Sequence, residues 1–248
     1  MMRYGAGDNP RHRVLPEKTF HRTMVLGAVI LLCCPVFAEA DEEPVSSERF
    51  GLELDLGSRL VYSSAFEAFS RSPVMGAMQL GVSWQPAVHE QRVLLDLRAG
   101  LGGTQARGFR GFDASLGVTT LTASVSWRQG LVDAVWAGAR FGAGAEHVRV
   151  AIDDDAGAPW RASTWTMVLE GTVSIELVSA LRGGGAERDF GVRIESGYGW
   201  RPGGAELGAV TRADYSEEVP RIESVGVDLG NLDLSGWIVR GALAFYFQ

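Results

Sequence analysis

Beyond residue 40 the sequence contains no cysteine and no lysine; Cys33, Cys34 and Lys18 all precede that point. A thiol-free chain has no disulfide framework and crosses an oxidising compartment without mispairing. The cations that remain are 18 arginines, set against 27 Asp and Glu, for a formal charge of −9. That balance argues against nucleic acid as a partner, because phosphate binding needs a basic surface. Histidine is nearly absent as well: after residue 40 only His89 and His147 are left for imidazole chemistry. No run of ~20 apolar residues survives in this part, which excludes a helical membrane protein.

The opening segment has the layout of an export signal and stands apart from the fold. Arg3, Arg11, Arg13, Lys18 and Arg22 form a basic region, residues 24–37 are apolar, and Ala38-Glu39-Ala40 is an A-x-A cleavage site. Residues 1–40 are therefore expected to be a signal peptide, with Ala38 as the other possible end. Leu31-Leu32-Cys33 lacks the small residue that a lipoprotein site wants before its cysteine. Residues 41–49 are a short polar lead-in, and residues 50–248, without a composition break, suit one all-β domain.

What is present is alternation. The last stretch, residues 235–248, puts Trp237, Val239, Leu243, Phe245 and Phe247 on one parity and Arg240 and Tyr246 on the other. This is the period-2 pattern of a strand with one apolar face. Seven earlier stretches repeat it. The first carries Phe50, Leu52, Leu54, Leu56, Leu60 and Tyr62; the second Val74, Met78, Leu80, Val82 and Trp84; the third Val93, Leu95, Leu97, Ala99 and Leu101. The fourth carries Thr119, Leu121, Ala123, Val125 and Trp127. In the fifth, Leu131, Val135, Ala137, Ala139 and Phe141 share the apolar parity, with Trp136 on the other one. The sixth has Trp165, Met167, Leu169, Val173, Ile175 and Leu177, and the seventh Phe190, Val192, Ile194, Tyr198 and Trp200.

The connections alternate between longer and shorter, ending on the longest, residues 202–234. Residues 63–73 and 102–113 read as loops, 86–90 and the Gln129-Gly130 region as turns. Short periplasmic turns, long external loops and an even strand count predict an all-β fold, a transmembrane antiparallel up-and-down β-barrel of eight strands. Val225, Val227 and Leu229 alternate inside the last loop and predict an extra hairpin, which extends the sheet above the membrane or, as the alternative, makes ten strands.

Aromatic positions decide which parity meets lipid. Tyr62, Phe141, Trp165, Tyr198, Trp200 and Trp237 fall toward the external rim, and Phe50, Trp84, Trp127, Phe245 and Phe247 toward the periplasmic one. Two girdles around an aliphatic band suit a membrane barrel, because Trp and Tyr rings favour the headgroup level. A soluble barrel gives no reason for such sorting. The other parity then lines the lumen with Glu53, Asp55, Arg59, Arg92, Asp96, Arg98, Arg140, Glu170, Glu176, Arg193, Glu195 and Arg240. Eight strands enclose a space just wide enough for side chains, and charges there must pair. A plugged, salt-bridged interior is the expectation.

With its signal peptide, strand count, girdles and closing Leu243-Ala244-Phe245-Tyr246-Phe247, the chain resembles the small outer-membrane barrels of the OmpA/OmpX type. It departs from them in placing Gln248 after the terminal aromatic residue. The resemblance implies residence in the outer membrane, contact with its lipid and lipopolysaccharide, and insertion by the barrel-assembly machinery. It also implies a monomer without cofactor, acting in envelope structure or surface interaction through its external loops. Two alternatives are a narrow transporter of small or hydrophobic solutes, similar to OmpW-type barrels, and a lipid A-modifying enzyme similar to PagL-type deacylases. Such a deacylase uses a His-x-Ser spacing with an acid, whereas His147-Val148-Arg149 has arginine in the serine position. Ser163 on the next strand, with Glu146 or Asp153, is the substitute set, and a solvated histidine is the favoured reading. Asp153-Asp154-Asp155 and the acidic residues Asp214, Glu217, Glu218, Glu223 and Asp228 could gather Ca²⁺ or Mg²⁺ but match no EF-hand pattern; solvated loop charge is the default, so neither a catalytic set nor a metal site is expected.

Overall fold

A computed structural model describes residues 48–86, 93–109, 112–132, 134–153, 160–181, 188–212, 227–228 and 230–247. The expected signal peptide, Arg92, His89, Asp154, Asp155, Asp214, Glu217, Glu218, Glu223, Val225, Leu229 and Gln248 lie outside the described residues.

The elements in order are β1 (Arg49–Val61), a 3-10 turn (Phe66–Ala68), β2 (Val74–Gln85), β3 (Val93–Phe109), β4 (Phe112–Val132), β5 (Val135–Asp153), β6 (Trp160–Leu181) and β7 (Arg188–Trp200). Four short strands follow, β8 (Ala205–Glu206), β9 (Ala209–Arg212), β10 (Val227–Asp228) and β11 (Asn231–Leu232), and β12 (Gly236–Phe247) ends the series. Strands β1 to β7 pair with their sequence neighbours, all antiparallel, and β12 pairs with both β7 and β1. The sheet is thereby closed into an eight-stranded barrel. At the seam, Phe50 faces Phe247 and Val61 faces Gly236, an unbroken register of twelve pairs. Closure leaves no free edge around the wall, as a spanning sheet requires where no water can satisfy the backbone.

The fifth strand has the expected parity: Phe141 is 58% exposed on the outer side and Arg140 only 5% exposed inside. Leu131, however, belongs to β4. The turn lies beyond Val132, later than the Gln129-Gly130 signal indicates, because Gly130 still pairs with Trp136. The expected loop 102–113 is also corrected. β3 runs through it to Phe109 and β4 starts at Phe112, with Thr104 opposite Leu116 and Ala106 opposite Ala114.

These extensions make the wall uneven. β3 to β6 have 17, 21, 19 and 22 residues, whereas β1, β2, β7 and β12 have 13, 12, 13 and 12. In the part that all eight strands share, Leu56, Leu80, Leu97, Leu121, Val173 and Ile194 are exposed on the outside while charged residues fill the inside. Along the protruding parts of β3 to β6 the polarity reverses. Leu116, Val118, Val148 and Val150 are buried on the concave side, and Gln105, Arg149, Arg161 and Ser163 are exposed on the convex side. The upper storey is built like a soluble protein and the lower storey is inside-out.

The loops supply the other half of the upper core. Residues 62–73 fold back, held by a hydrogen bond from the Val61 amide to the Pro73 carbonyl at 2.7 Å, and deliver Phe66 and Phe69. After β7 the chain turns through Gly203 and Gly204, both at positive φ, a conformation that a side chain would oppose. β8 pairs with β11 there and brings Ala205, Leu207, Leu232 and Leu234 into the same cluster. β9 pairs with β10, Val210 facing Val227, and with the start of β6, Arg161 facing Thr211. The extra hairpin expected around Val227 thus prolongs the sheet above the barrel and adds no spanning strand.

Candidate functional site

Inward parity places the ionisable side chains of six strands in one lumen. β1 contributes Glu53, Asp55 and Arg59, β3 Asp96 and Arg98, β5 Arg140, β6 Glu170 and Glu176, β7 Arg193 and Glu195, and β12 Arg240, all of them buried. Four charged or phenolic groups join them that the candidate set does not contain: Arg128 on β4, Glu146 on β5, Arg201 just after β7 and Tyr246 on β12. Arg128 and Glu146 share the parity of Ser124, Ser126 and Arg140, so the period-2 rule reaches them. The sequence hides them because one adjoins the apparent turn at Gln129-Gly130 and the other lies past Phe141, where the fifth apolar pattern ends. For the described lumen residues named here, seven arginines oppose seven carboxylates.

The pairs are linked in a column. Near its middle Arg98 donates to Asp55 and to Glu53, each at 2.5 Å, and Arg193 donates to the same Glu53 at 3.1 and 2.7 Å. Glu195 receives Arg140 at 2.5 Å and lies 2.9 Å from Arg193 and 3.0 Å from Arg240. Arg240 continues to Glu170 at 2.9 Å and to Gln79 at 2.6 Å. Above them Glu146, with no exposed surface, accepts from Arg59 at 3.1 Å, from Arg201 at 2.6 and 2.8 Å and from Thr120 at 3.1 Å. At the opposite end Arg128 donates to Glu176 and, at 2.9 Å, to Tyr246, which in turn donates to Glu176 at 2.9 Å. Asp96 is held by the Ser124 and Ser126 hydroxyls.

The physical logic follows from the low dielectric. Each of these ions alone would be several kcal/mol unfavourable inside the wall, and only close pairing with well-aligned hydrogen bonds offsets that cost. Guanidinium suits the task because its fork spans two carboxylates at once, as Arg98 does between Glu53 and Asp55. The absence of lysine beyond residue 40 fits the same demand for planar, multidentate donors.

The aromatic candidates lie on the outer surface. Phe50 pairs with both Phe247 and Trp84, Leu52 with Phe245, and Val93 with Trp127, so these rings gather at one end of the strands. Toward the other end, Leu60 faces Trp237, Trp237 faces Tyr198, and Leu169 faces Trp200. Tyr198 and Trp237 meet edge to face with centroids 6.0 Å apart. Trp165 is 66% exposed and stacks on His147 at 4.8 Å. Tyr62 lies just past β1 and is also exposed.

Of the residues considered for a deacylase, His147 and Ser163 lie on adjacent strands two residues out of register. His147 pairs in register with Trp165, and Ser163 with Arg149. Glu146 points into the lumen, where Arg59 and Arg201 hold it, so it cannot serve as the acid on the outer surface. Among the described residues no group of three His, Cys, Asp or Glu is arranged to hold a metal ion. No described helix is long and apolar enough to cross a membrane, which says nothing about strands.

No family model and no curated protein sequence matches the chain. Solved structures that match it in fold include the following three. A major outer membrane protein from Thermus thermophilus superposes with a TM-score of 0.43 at 13% identity, covering 81% of this chain and 99% of its own. The N-terminal β-barrel domain of Pseudomonas aeruginosa OprF gives 0.37 at 9% identity, covering 80% and 97%. Neisserial surface protein A gives 0.34 at 10% identity, covering 81% and 96%. At these values the assignment stands on the barrel's own geometry. A closed antiparallel wall with an apolar exterior and a charged interior is a membrane-spanning barrel of the outer-membrane type.

Proposed function

We propose that this protein is an occluded outer-membrane barrel. Its lumen is a structural strut, and its contacts with the surroundings are made by the outer wall and the external storey. The observation that carries the reading is the stacking of two different fillings inside one wall. A column of ion pairs from Arg128 to Glu146 occupies the spanning part, and the apolar cluster with Phe66, Phe69, Leu116 and Leu234 closes the barrel above it. An open pore needs a continuous polar path, and the upper cluster offers none. A narrow channel for solutes finds no support in this arrangement.

The wall itself is suited to lipid. Above the aliphatic band, Arg149 and Arg161 project outward on adjacent strands beyond the His147–Trp165 stack, a level at which phosphorylated headgroups of lipopolysaccharide would meet cations. The external storey, together with the described residues of the segment after β7, then presents the surface available to partners outside the cell, since specific recognition tends to sit on loops held by a rigid scaffold. Assembly machinery would meet the β1–β12 seam.

Planar-bilayer recording with the purified, refolded chain tests the occlusion. The expected trace shows no steady open level; a large, stable conductance in most insertions would remove the reading and restore the transporter.

A further inference from the structure

The column of ion pairs is not uniformly close. Its upper group, Glu146 with Arg59 and Arg201, joins the lower group through Arg59 and Glu170, whose nearest atoms are 3.7 Å apart, too far for a hydrogen bond. Beside this junction lies a small cavity between β1, β2, β6 and β12, lined by Asp55, Arg59, Ala77, Gln79, Glu170 and Arg240. The centre of a water-sized molecule has about 20 Å³ in which to move there, room for a single water.

Four of the charged residues around it each have a buried polar atom that makes no hydrogen bond to the described residues: Asp55 Oδ1, Glu170 Oε1, Arg59 Nη1 and Arg240 Nε. All four residues are more than nine-tenths buried. Asp55 Oδ1 is 3.8 Å from Arg193, and Arg240 Nε is 3.0 Å from Glu195 Oε2 without the alignment of a hydrogen bond. A buried polar atom without a partner is costly, and four residues that line this one space each carry such an atom.

We infer that this cavity is a built site for one internal water molecule, which ties the two halves of the ion-pair column together. The donor and acceptor count selects the occupant. Two carboxylate oxygens receive the two water hydrogens, and two guanidinium N–H groups donate to its lone pairs. A bound cation would leave the two donors unused, and a halide would face two carboxylates. Two positive and two negative side chains also give the lining no net charge to draw in an ion of either sign. The water bridges what the direct Arg59–Glu170 contact fails to close, so the junction is hydrated and yet closed to ions.

The inference deepens the occluded-lumen reading and rests on it. Crystals of the full chain in detergent test it by a map at atomic resolution, with parallel soaks in bromide and rubidium read by anomalous scattering. The expected result is one water peak within hydrogen-bond distance of Asp55, Glu170, Arg59 and Arg240, with no anomalous peak there. A bromide or rubidium peak in the cavity, or a map without density at that point, overturns the inference. Ala77→Val supplies a second readout: it is expected to expel the peak, and persistence of the peak beside the larger side chain in a folded barrel also overturns it. If the substituted chain does not fold, the parent map decides alone. The two levels fail separately. A steady conductance in bilayers ends the occluded reading, whereas an ion in the cavity of a silent barrel ends only the water assignment.

Discussion

Glu146 carries more of the upper lumen than any other single described side chain, because Arg59, Arg201 and Thr120 all converge on its two oxygens. Removing it leaves two buried guanidinium groups without their main partner, an arrangement that typically costs about 3–5 kcal/mol. Glu146→Ala should therefore lower the unfolding free energy in urea, measured in lipid vesicles, by about that amount. Arg149→Ala, further along the same strand but exposed and bonded to the Thr119 hydroxyl, should change it by less than about 0.5 kcal/mol. Equal effects at the two sites would contradict the inward assignment of Glu146. At this scale the sequence is informative wherever the flanking alternation is unambiguous, and Glu53, Arg98, Arg193 and Arg240 are examples. It is silent on partners, because a parity says which side a residue faces but not which opposite charge it meets. Arg201 is legible only as an inward residue at a strand end, and its role depends on the turn through Gly203 and Gly204 that follows it and lets its side chain reach Glu146.

At the scale of the element, the strands most legible in the sequence are those whose whole length has lipid on one side. β1, β2, β7 and β12 begin and end close to the expected limits, since most outward positions in them are apolar. β3 and β4 extend beyond their sequence pattern for a physical reason. Past Leu101 the outer surface meets water and the inner surface meets the loop cluster, so the apolar residues change parity, with Ala114, Leu116 and Val118 inside. A pattern that reverses midway looks like its own end, and the glycines at 100, 102 and 103 deepen the impression. The same reversal predicts how charge is tolerated along the wall. Ile194, 65% exposed at the centre of β7, faces the middle of the apolar band, and Ile194→Arg should cost about 2–4 kcal/mol of stability in a bilayer. Ser163→Arg, on the outer side of β6 beyond Trp165 and facing Arg149, lies above the band and should cost less than about 1 kcal/mol. Urea unfolding in vesicles compares the two directly. If both substitutions were equally tolerated, the band would have to lie elsewhere on the wall.

For the whole molecule, the proposed occlusion places two barriers in series, an apolar cap and an ion-paired column. Series barriers behave unlike parallel ones: relief of either leaves the other to limit current. Replacing residues 64–71 with a short Gly/Ser turn removes Phe66 and Phe69 from the cap but leaves the column from Arg98 to Glu146 intact, so that variant should remain silent in planar bilayers. Changing Glu53, Arg98, Arg193 and Glu195 together to serine removes two charges of each sign, so the net charge of the lumen is unchanged. That variant removes the middle of the column while the cap and the Glu146, Glu170 and Glu176 pairs stay, and it too should be silent, provided its compact form persists in cold detergent on gels. Only the combination should show steady, small conductance. If the cap variant alone conducts, the column is permeable and the pairing of its charges does not occlude the barrel. If the serine variant alone conducts, the loops above move aside freely, and the packing of Phe66 and Phe69 in one cluster with Leu116 and Val118 is too weak to close the external mouth. The two single variants therefore separate the contributions that the intact barrel combines, and their shared silence is the signature of a wall filled by two chemistries at two levels.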